Sequence, residues 1–427
     1  MTKITTALIA AAVAALISTA LVWSLSLRDE PDLSAPAAAV PATPELLARG
    51  AYLARAGNCA GCHTARGGTP YAGGRGIDTP FGTLYSTNLT PDAQTGLGGW
   101  SSTEFWRALH NGRSKDGRLL YPAFPYPSYT QVTRADSDAL YAYLRSLPAT
   151  AQAATPHTLR WPYRLQAALA LWRALYFQPG SYQEEPAQSA QWNRGAYLVR
   201  GLGHCSACHS ARNALGASSN PLDLAGGLIP VQNWYAPALT SPLEAGVKDW
   251  PPADTVRLLQ TGMAPHGVTQ GPMAEVVLQS TQYLSPADLA AMATYLQALP
   301  QSDAASAAPT PLTAPAASER GAGLYDQHCA QCHGAQGQGV PGAYPALAGN
   351  RAVTMANTAN LVQTVLNGGF APATAGNPRP FGMPPYVLEL SDQDIAAVLT
   401  HVRSAWGNRA PAVTELDVNR LRTNQGH

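Results

Sequence analysis

Charged side chains are scarce in this sequence. Of its 427 residues only 12% are Asp, Glu, Lys or Arg, and the formal net charge is +1, whereas soluble domains average ~25% charged residues. A net charge so close to zero provides no strong electrostatic attraction to nucleic acid. The composition therefore argues against nucleic acid as a partner.

Signs of a catalytic site are also missing. The sequence contains no Gly-x-Gly-x-x-Gly fingerprint placed between a strand and a helix, which would indicate dinucleotide binding. It shows no obvious Ser-His-Asp or two-carboxylate arrangement either. We therefore expect that the chain is not itself an enzyme.

Cysteine is rare, and its placement is regular. All six cysteines lie in three copies of a Cys-x-x-Cys-His motif, which are Cys59, Cys62 and His63; Cys205, Cys208 and His209; and Cys329, Cys332 and His333. Two thiols on one helical turn can add to the two vinyl groups of a heme, and the imidazole that follows can reach its iron. This spacing is the attachment signature of c-type heme, and three copies predict three heme c groups.

Other uses of the motif fit less well. A structural zinc site needs four protein ligands, and none of the three motifs has a second cysteine pair in the sequence around it. A redox dithiol needs a βαβ context and no iron ligand, whereas the surrounding segments here are helical. Disulfides are common outside the cytoplasm, but three identical Cys-x-x-Cys-His copies would form an unusual disulfide framework.

Methionine is absent between residues 2 and 262. Because methionine is a common second axial ligand of heme iron, this absence restricts the candidates to the later part of the chain. Met383, in "RPFGMPPY", is favoured over Met355. Met273, in "TQGPMAEVV", is favoured over Met263. Met292 has helical spacing within an amphipathic segment and is predicted to be a core residue.

The first motif must therefore use another distal ligand, or none. Phe124, in "LYPAFPYPSYTQV", occupies the place where the other units carry methionine. His110 is the obvious substitute, although a position on the polar face of its helix would keep it away from iron. An open or water-filled position, or a ligand from elsewhere such as His157, are the alternatives.

The remaining histidines are assigned other roles. His204 and His328, each directly before a cysteine, are expected at the surface or near heme propionates, and His266 and His401 are expected to be structural. The carbonyl of Pro345, in "AYPALAG", is predicted to accept a hydrogen bond from His333, since such bonds orient the imidazole of a metal ligand.

The N-terminus contains a long apolar run. No charged residue lies between Lys3 and Arg28, and a helix of this length can cross a hydrocarbon core of ~30 Å. The apolar part of a secretory signal is usually shorter, about 7–15 residues. We expect an uncleaved anchor, with a removed signal peptide as the alternative. Either would place the body outside the cytoplasm.

Three similar units follow. Each opens with a helical segment ("ARGAYLARAG", "NRGAYLVRGLG", "ERGAGLYDQH") and closes with an amphipathic helix. The closing helices share the start signals Thr133/Asp136, Ser285/Asp288 and Ser391/Asp394, whose hydroxyl and acid suit a helix N-terminus. A repeat of this kind predicts small helical domains.

The predicted segments are 1–30 (anchor or signal), 31–44 (Pro/Ala linker), 45–148 (domain 1), 149–189 (packed connector), 190–300 (domain 2), 301–318 (Ala/Pro/Ser linker), 319–410 (domain 3) and 411–427 (tail).

Together with the heme motifs, these segments resemble a known family, the triheme cytochrome c subunits of bacterial membrane-bound dehydrogenases. The resemblance covers residues 45–410 and also includes "YSTNLTPD", "YPAFPYPSYT", "GPMAEVV", "YPALAGN" and "SAWGN". It implies an all-α fold of three tandem class I cytochrome c-like domains. It also implies covalent heme at the six cysteines, His63, His209 and His333 as proximal ligands, and Met273 and Met383 as distal ligands. Relatives often place methionine near the position of Phe124 or of Val132, and this chain has no methionine at either place.

The same resemblance implies the biological setting. The chain would dock on a catalytic dehydrogenase subunit of the flavin-, pyrroloquinoline quinone- or molybdenum-dependent kind and deliver electrons to ubiquinone. It would lie on the periplasmic side of the inner membrane, held by its N-terminal helix. Two other functions are the alternatives: a peroxidase-like heme enzyme acting at the first heme, and a cytochrome subunit of a terminal oxidase or other respiratory complex.

Overall fold

The computed structural model describes residues 3–34, 39–218, 223–302 and 315–423, with the side chains of 315–318 excepted. Parts of the two predicted linkers (35–38 and 303–314) and the last residues of the predicted tail (424–427) lie outside this description. Two compact units are found. Unit 1 comprises 1–184, 200–204 and 213–218, and unit 2 comprises 185–199, 205–212 and 219–427.

Unit 1 is built mainly of helices, with one two-stranded antiparallel ladder. Its helices are α1 Lys3–Ser26, α2 Pro44–Ala56, α3 Cys59–Cys62, α4 Ser102–Asn111, α5 Tyr126–Tyr129, α6 Arg134–Ser146 and α7 Gln166–Tyr176. Its ladder joins β1 Gly76–Thr79 to β2 Gly82–Tyr85, with Gly76 opposite Tyr85 and Thr79 opposite Gly82.

Unit 2 contains the other helices. They are α8 Ala190–Tyr197, α9 Ser206–His209, α10 Pro252–Thr261, α11 Gly271–Gln279, α12 Pro286–Gln297, α13 Pro315–His328, α14 Ala330–His333, α15 Arg351–Thr354, α16 Ala359–Asn367, α17 Asp392–Ser404 and α18 Glu415–Thr423. A 3₁₀ turn, Thr281–Tyr283, follows α11. A π-helical turn, Leu198–Leu202, continues α8, and its residues 200–202 are assigned to unit 1.

Short ladders also occur in unit 2. They pair β3 Gly227–Ile229 with β4 Trp234–Ala236, β5 Met263–Ala264 with β6 Gly267–Val268, and β7 Gly369–Phe370 with β8 Gly382–Met383. These strands leave little signal in the sequence, because pieces of two to four residues are too short for period-two alternation to show. The expectation of an all-α chain therefore needs this small correction, and the fold is mainly helical.

The same crossing of an opening and a closing helix occurs three times. Helices α2 and α6, α8 and α12, and α13 and α17 pack against each other. At each crossing a glycine faces the backbone of the closing helix: Gly50 lies against the Ala139 carbonyl, Gly195 against Ala291, and Gly321 against Ala397. A Cβ atom at any of these glycines would overlap the carbonyl oxygen. Glycine therefore allows the two helix backbones to approach closely.

Each crossing also carries an ion pair. Arg49 contacts Asp136, Arg194 contacts Asp288, and Arg320 contacts Asp394, with nitrogen–oxygen distances of 2.7 Å, 2.7 Å and 2.9 Å. The aspartate in each pair is the third residue of the closing helix. The predicted start signals are confirmed, because Thr133, Ser285 and Ser391 accept hydrogen bonds from the amides of Asp136, Asp288 and Asp394.

Between α6 and α8, the connector carries α7, which packs inward in unit 1. Leu169 and Phe177 are buried at 5% exposure, and Arg173 stacks on the rings of Tyr126 and Phe177. Helix α1 contacts α7. By length and composition α1 is the one helix among the described residues that could cross a membrane, and its apolar side chains are exposed.

The glycine at the last crossing provides a test of this packing. We expect Gly321→Ala to destabilise the α13–α17 pair by about 1–3 kcal/mol, because the new methyl group overpacks the contact with Ala397. Gly323 lies on the same helix, and a Cβ atom there meets nothing within 4 Å. Gly323→Ala should leave stability unchanged or raise it by up to about 1 kcal/mol, since alanine favours helix. Native-state hydrogen exchange of α13 and α17 measures both changes, and equal effects of the two substitutions would contradict the close crossing.

Candidate heme sites

The three Cys-x-x-Cys-His motifs adopt the same helical turn. The amide of the histidine donates to the carbonyl of the first cysteine at 2.9 Å in each case: His63 to Cys59, His209 to Cys205, and His333 to Cys329. This is the hydrogen bond between residues four apart that defines an α-helical turn. The turn keeps both thiols and the imidazole within one short stretch of backbone, as attachment of one heme requires.

The imidazole of each motif is held by a backbone carbonyl. The Nδ1 atom of His63 lies 2.7 Å from the Thr87 oxygen, that of His209 lies 2.7 Å from the Pro237 oxygen, and that of His333 lies 2.9 Å from the Pro345 oxygen. A carbonyl can only accept, so Nδ1 carries the proton and Nε2 keeps the lone pair that can bind a metal. The predicted contact between His333 and Pro345 is confirmed.

The equivalent carbonyls of Thr87 and Pro237 were not predicted. A weak signal for them exists, because a tyrosine precedes and a leucine follows each carbonyl in "YSTNL", "YAPAL" and "YPAL". The spacing differs by one residue in the last copy, and the side chains that supply the carbonyls differ too. Alignment by side-chain type therefore does not reveal a role that belongs to the backbone.

Burial disfavours the charged forms of the first cysteine and of the histidine in each motif. It raises the pKa of Cys59 and Cys205 to about 12 and that of Cys329 to about 11, and the second cysteine of each motif acts in the same direction. Burial also lowers the pKa of His63, His209 and His333. The six cysteines are present as thiols rather than disulfides. Free thiols beside a neutral imidazole with an unprotonated Nε2 form a donor set that fits a covalently attached heme.

Met383 lies on the same core as the last motif. It is in β8 and, like Cys329, packs against the cluster that contains Val362, Ile395 and Leu399. Three residues further on, the Tyr386 hydroxyl donates to the His328 carbonyl at 2.8 Å, directly before Cys329. The loop that carries Met383 therefore returns to the motif. Its rival Met355 is 5% exposed, as expected of a core residue.

The methionines of the middle segment occupy three different settings. Met273 is the third residue of α11. Met263 lies in β5, and its sulfur accepts a hydrogen bond from the Asn377 side chain at 3.0 Å. Met292 is 3% exposed within α12, which confirms its prediction as a core residue.

In the first segment, aromatic rings occupy the region near the thiols. Tyr129 donates to the Gly57 carbonyl at 3.0 Å, and Phe124 packs on the Tyr129 ring with centroids 5.3 Å apart. Burial, and then the neighbouring Cys59 and Cys62, raise the pKa of Tyr129 well above its usual value. Val132 is fully buried. No sulfur ligand is present among these side chains.

The two histidine candidates of the first segment differ in their surroundings. His110 is 7% exposed, stacks on Trp106 with centroids 4.4 Å apart, and lies 3.4 Å from the Thr130 hydroxyl. Burial lowers the pKa of His110. His157 instead accepts from the Tyr85 amide at 3.2 Å, two residues before Thr87. It therefore lies beside the strand that supports the proximal ligand, which disfavours it as a distal ligand.

The remaining histidines make other contacts. The His204 ring is half-buried and packs edge-on against Tyr129, and burial lowers its pKa. His328 packs against Tyr386. His266 faces Asp254 at 3.4 Å, and His401 packs against Tyr325 and Trp406, as expected of structural residues.

Comparison with known proteins agrees with this geometry. The family model described as cytochrome c matches residues 47–148 and 318–406. The chain is 40% identical over 394 residues to the cytochrome c subunit of alcohol dehydrogenase (quinone) from Gluconacetobacter polyoxogenes, covering 88% of this chain and 84% of that one. It is 39% identical over 407 residues to the gluconate 2-dehydrogenase cytochrome c subunit of Pantoea cypripedii, covering 89% and 90%.

A third relative is more distant but equally extensive. The fructose dehydrogenase cytochrome subunit of Gluconobacter japonicus is 35% identical over 404 residues, which cover 88% of this chain and 82% of that one. These relatives confirm the resemblance noted in the sequence. The chain therefore belongs to the family of cytochrome c subunits of alcohol, gluconate and fructose dehydrogenases, in which it serves electron transfer and leaves substrate oxidation to another subunit.

Proposed function

We propose that this chain binds three heme c groups and passes electrons from a catalytic dehydrogenase subunit to ubiquinone at the inner membrane. The observation that carries the proposal is the threefold recurrence of one arrangement: a Cys-x-x-Cys-His turn whose imidazole is held by a carbonyl and whose opening helix crosses a closing helix at a glycine. When bound, heme supplies a one-electron redox centre; the protein supplies its attachment, ligation and spacing.

Each heme would be held by its own motif. Cys59 and Cys62, Cys205 and Cys208, and Cys329 and Cys332 are proposed to form the thioether bonds, with His63, His209 and His333 as proximal ligands. Met273 and Met383 are proposed as distal ligands for the middle and last hemes. The carbonyls of Thr87, Pro237 and Pro345 fix the imidazole planes and increase the basicity of the ligating nitrogens.

Three tandem cytochrome c domains are proposed on the same grounds, with boundaries at 45–148, 190–300 and 319–410. The family model matches the first and last of these segments. The middle segment repeats their geometry, since it has the Gly195 crossing, the Arg194–Asp288 ion pair and the His209–Pro237 bond. We therefore assign it the same fold and one heme.

Retention of α1 as a membrane anchor is proposed from the contacts at its C-terminal end. Ser26 is 3% exposed, Glu30 pairs with Arg113, and the Asn111 side chain donates to the carbonyls of Arg28 and Asp29 at 3.2 Å and 3.1 Å. A signal peptide removed near this point would take these partners from unit 1. The body would then lie on the periplasmic side, and the mass of the mature chain distinguishes retention from cleavage.

The partner is proposed to be a catalytic dehydrogenase subunit of the flavin-, pyrroloquinoline quinone- or molybdenum-dependent kind. The support is the names of the relatives, which are cytochrome subunits of alcohol, gluconate and fructose dehydrogenases. The chain also matches 31% of a nicotinate dehydrogenase polypeptide from Pseudomonas putida at 44% identity. Cytochromes of one kind therefore serve several substrates, and the substrate is a property of the partner.

Electron delivery can be tested in the complex as it is isolated from membranes. A tagged full chain should retain a catalytic dehydrogenase, whose substrate should reduce its hemes and support reduction of a ubiquinone analogue. Cys205→Ser/Cys208→Ser should lower quinone reduction by about tenfold or more, because the redox step resides in the cofactors. Reduction of a small dye by the partner should be unchanged. His266→Ala is the control, since this half-exposed side chain is remote from the motifs in sequence.

Three results would count against this function. Recovery of a copper–heme oxidase in place of a dehydrogenase would favour the terminal oxidase alternative. Rapid peroxide turnover by the chain would favour a heme enzyme. Full quinone reduction by the double-serine variant would show that the middle heme is not on the electron path.

The first heme is predicted to differ from the other two. Because no methionine lies in its segment, it should show no iron–sulfur charge-transfer absorption, and its potential should be lower than those of the two methionine-ligated hemes. If His110 is its ligand, His110→Ala should convert one low-spin heme to a high-spin form, whereas His157→Ala should not. Redox titration and electron paramagnetic resonance of the full chain measure both properties. Three equivalent methionine-ligated hemes would contradict the prediction.

A further inference from the structure

Two polar side chains of α16 contact the backbone and a side chain of the middle segment, within unit 2. The Asn360 side chain both accepts from and donates to the backbone of one residue. Its Oδ1 accepts from the Tyr235 amide at 2.8 Å, and its Nδ2 donates to the Tyr235 carbonyl at 2.7 Å. These residues are 125 positions apart in the chain. A side-chain amide in this pose takes the place of a neighbouring strand.

Tyr235 lies in the strand that supports the proximal side of the middle heme site. It is the central residue of β4, which pairs with β3 along one edge, with Leu228 opposite Tyr235. Asn360 satisfies the amide and carbonyl on the other edge, which a sheet edge otherwise leaves unpaired. Two residues further on, the Pro237 carbonyl accepts from His209. The position of that carbonyl therefore depends on the bonds made by Asn360.

Thr364, one helical turn after Asn360, contacts the distal side. Its hydroxyl lies 2.5 Å from the Gln270 side-chain oxygen. Gln270 is the N-cap of α11, the helix that carries Met273. The next residue, Gly271, has a φ of +53° and sits so close to Trp234 that a Cβ atom would overlap the indole. The start of α11, β4 and α16 thus form one packed group.

We propose that Asn360 and Thr364 are positioning residues for the axial ligands of the middle heme, so that α16, a helix of the last heme segment, sets the redox potential of that heme. The inference rests on the proposed ligation by His209 and Met273. Asn360 acts on the imidazole through Pro237, and Thr364 acts on the methionine through Gln270. The link to each ligand is two or three residues of backbone, short enough to transmit a displacement.

The two side chains should have different effects on the heme. Loss of the Asn360 bonds loosens the carbonyl that accepts from His209, and a weaker bond makes the imidazole a less basic ligand. The potential of the middle heme should then rise. Loss of the Thr364 contact frees the start of α11, and Met273 should then yield more readily to an added ligand such as imidazole.

The test uses the full chain with its hemes attached. Asn360→Leu should raise the midpoint potential of one heme and leave the other two unchanged. Asn367→Leu is the matched control, because Asn367 lies on the same helix and bonds within it to Gln363 at 2.6 Å. Met273→His, which replaces a thioether by imidazole, identifies the middle heme as the one whose potential falls. Thr364→Val should increase the affinity of that heme for imidazole by about tenfold.

The outcomes separate the inference from the function on which it rests. Suppose that Met273→His shifts the potential of one heme. If Asn360→Leu, with three hemes attached, leaves that same potential unchanged, the inference is overturned while the ligand assignment stands. If Met273→His moves no potential, the ligand assignment itself has failed. Asn360→Ala replaces Asn360→Leu in this test if the leucine variant does not fold. Equal shifts of the midpoint potential in Asn360→Leu and Asn367→Leu would also overturn the inference.

Discussion

The hydrogen bond from a motif histidine to a backbone carbonyl is the interaction on which this structure depends. It fixes the tautomer, so that Nε2 keeps the lone pair that can bind a metal, and it fixes the plane of the ring. In each segment the carbonyl comes from a loop that follows the motif, at Thr87, Pro237 or Pro345, which lie 24, 28 and 12 residues after the motif histidine. That loop must therefore be placed accurately, and the packing of each segment can be understood as the means of placing it.

The helix crossings supply the rigid part of that placement. Glycine at Gly50, Gly195 and Gly321 brings the two helix backbones together, and an arginine on the residue before each glycine binds the capping aspartate of the partner helix. The Cys-x-x-Cys-His turn follows the opening helix within a few residues. The chain thus repeats one helix crossing and one histidine–carbonyl bond three times. The segments differ in their methionine content, since the first has aromatic rings and histidine but no methionine.

Much of this was predictable because it is local in sequence. The helical turns of the Cys-x-x-Cys-His motifs, the capping signals at Thr133, Ser285 and Ser391 and the core role of Met292 all follow from spacing and helical periodicity. The short β-ladders could not be predicted from the sequence, because strands of two to four residues carry no periodic signal. The carbonyls of Thr87 and Pro237 act through the backbone, which side-chain patterns do not report. The contact between Asn360 and Tyr235 spans 125 positions, and it becomes visible only when the two segments are folded together.

The central claim is that three hemes are covalently held in one chain that keeps its N-terminal helix. Intact-mass measurement of the denatured mature protein, made with its heme-attachment machinery present, tests it most directly. The account predicts the mass of the full polypeptide plus three hemes, with one heme lost for each cysteine pair changed to serine. A mature protein that carries two hemes or fewer, or whose heme content does not change when Cys205 and Cys208 are replaced, would contradict it.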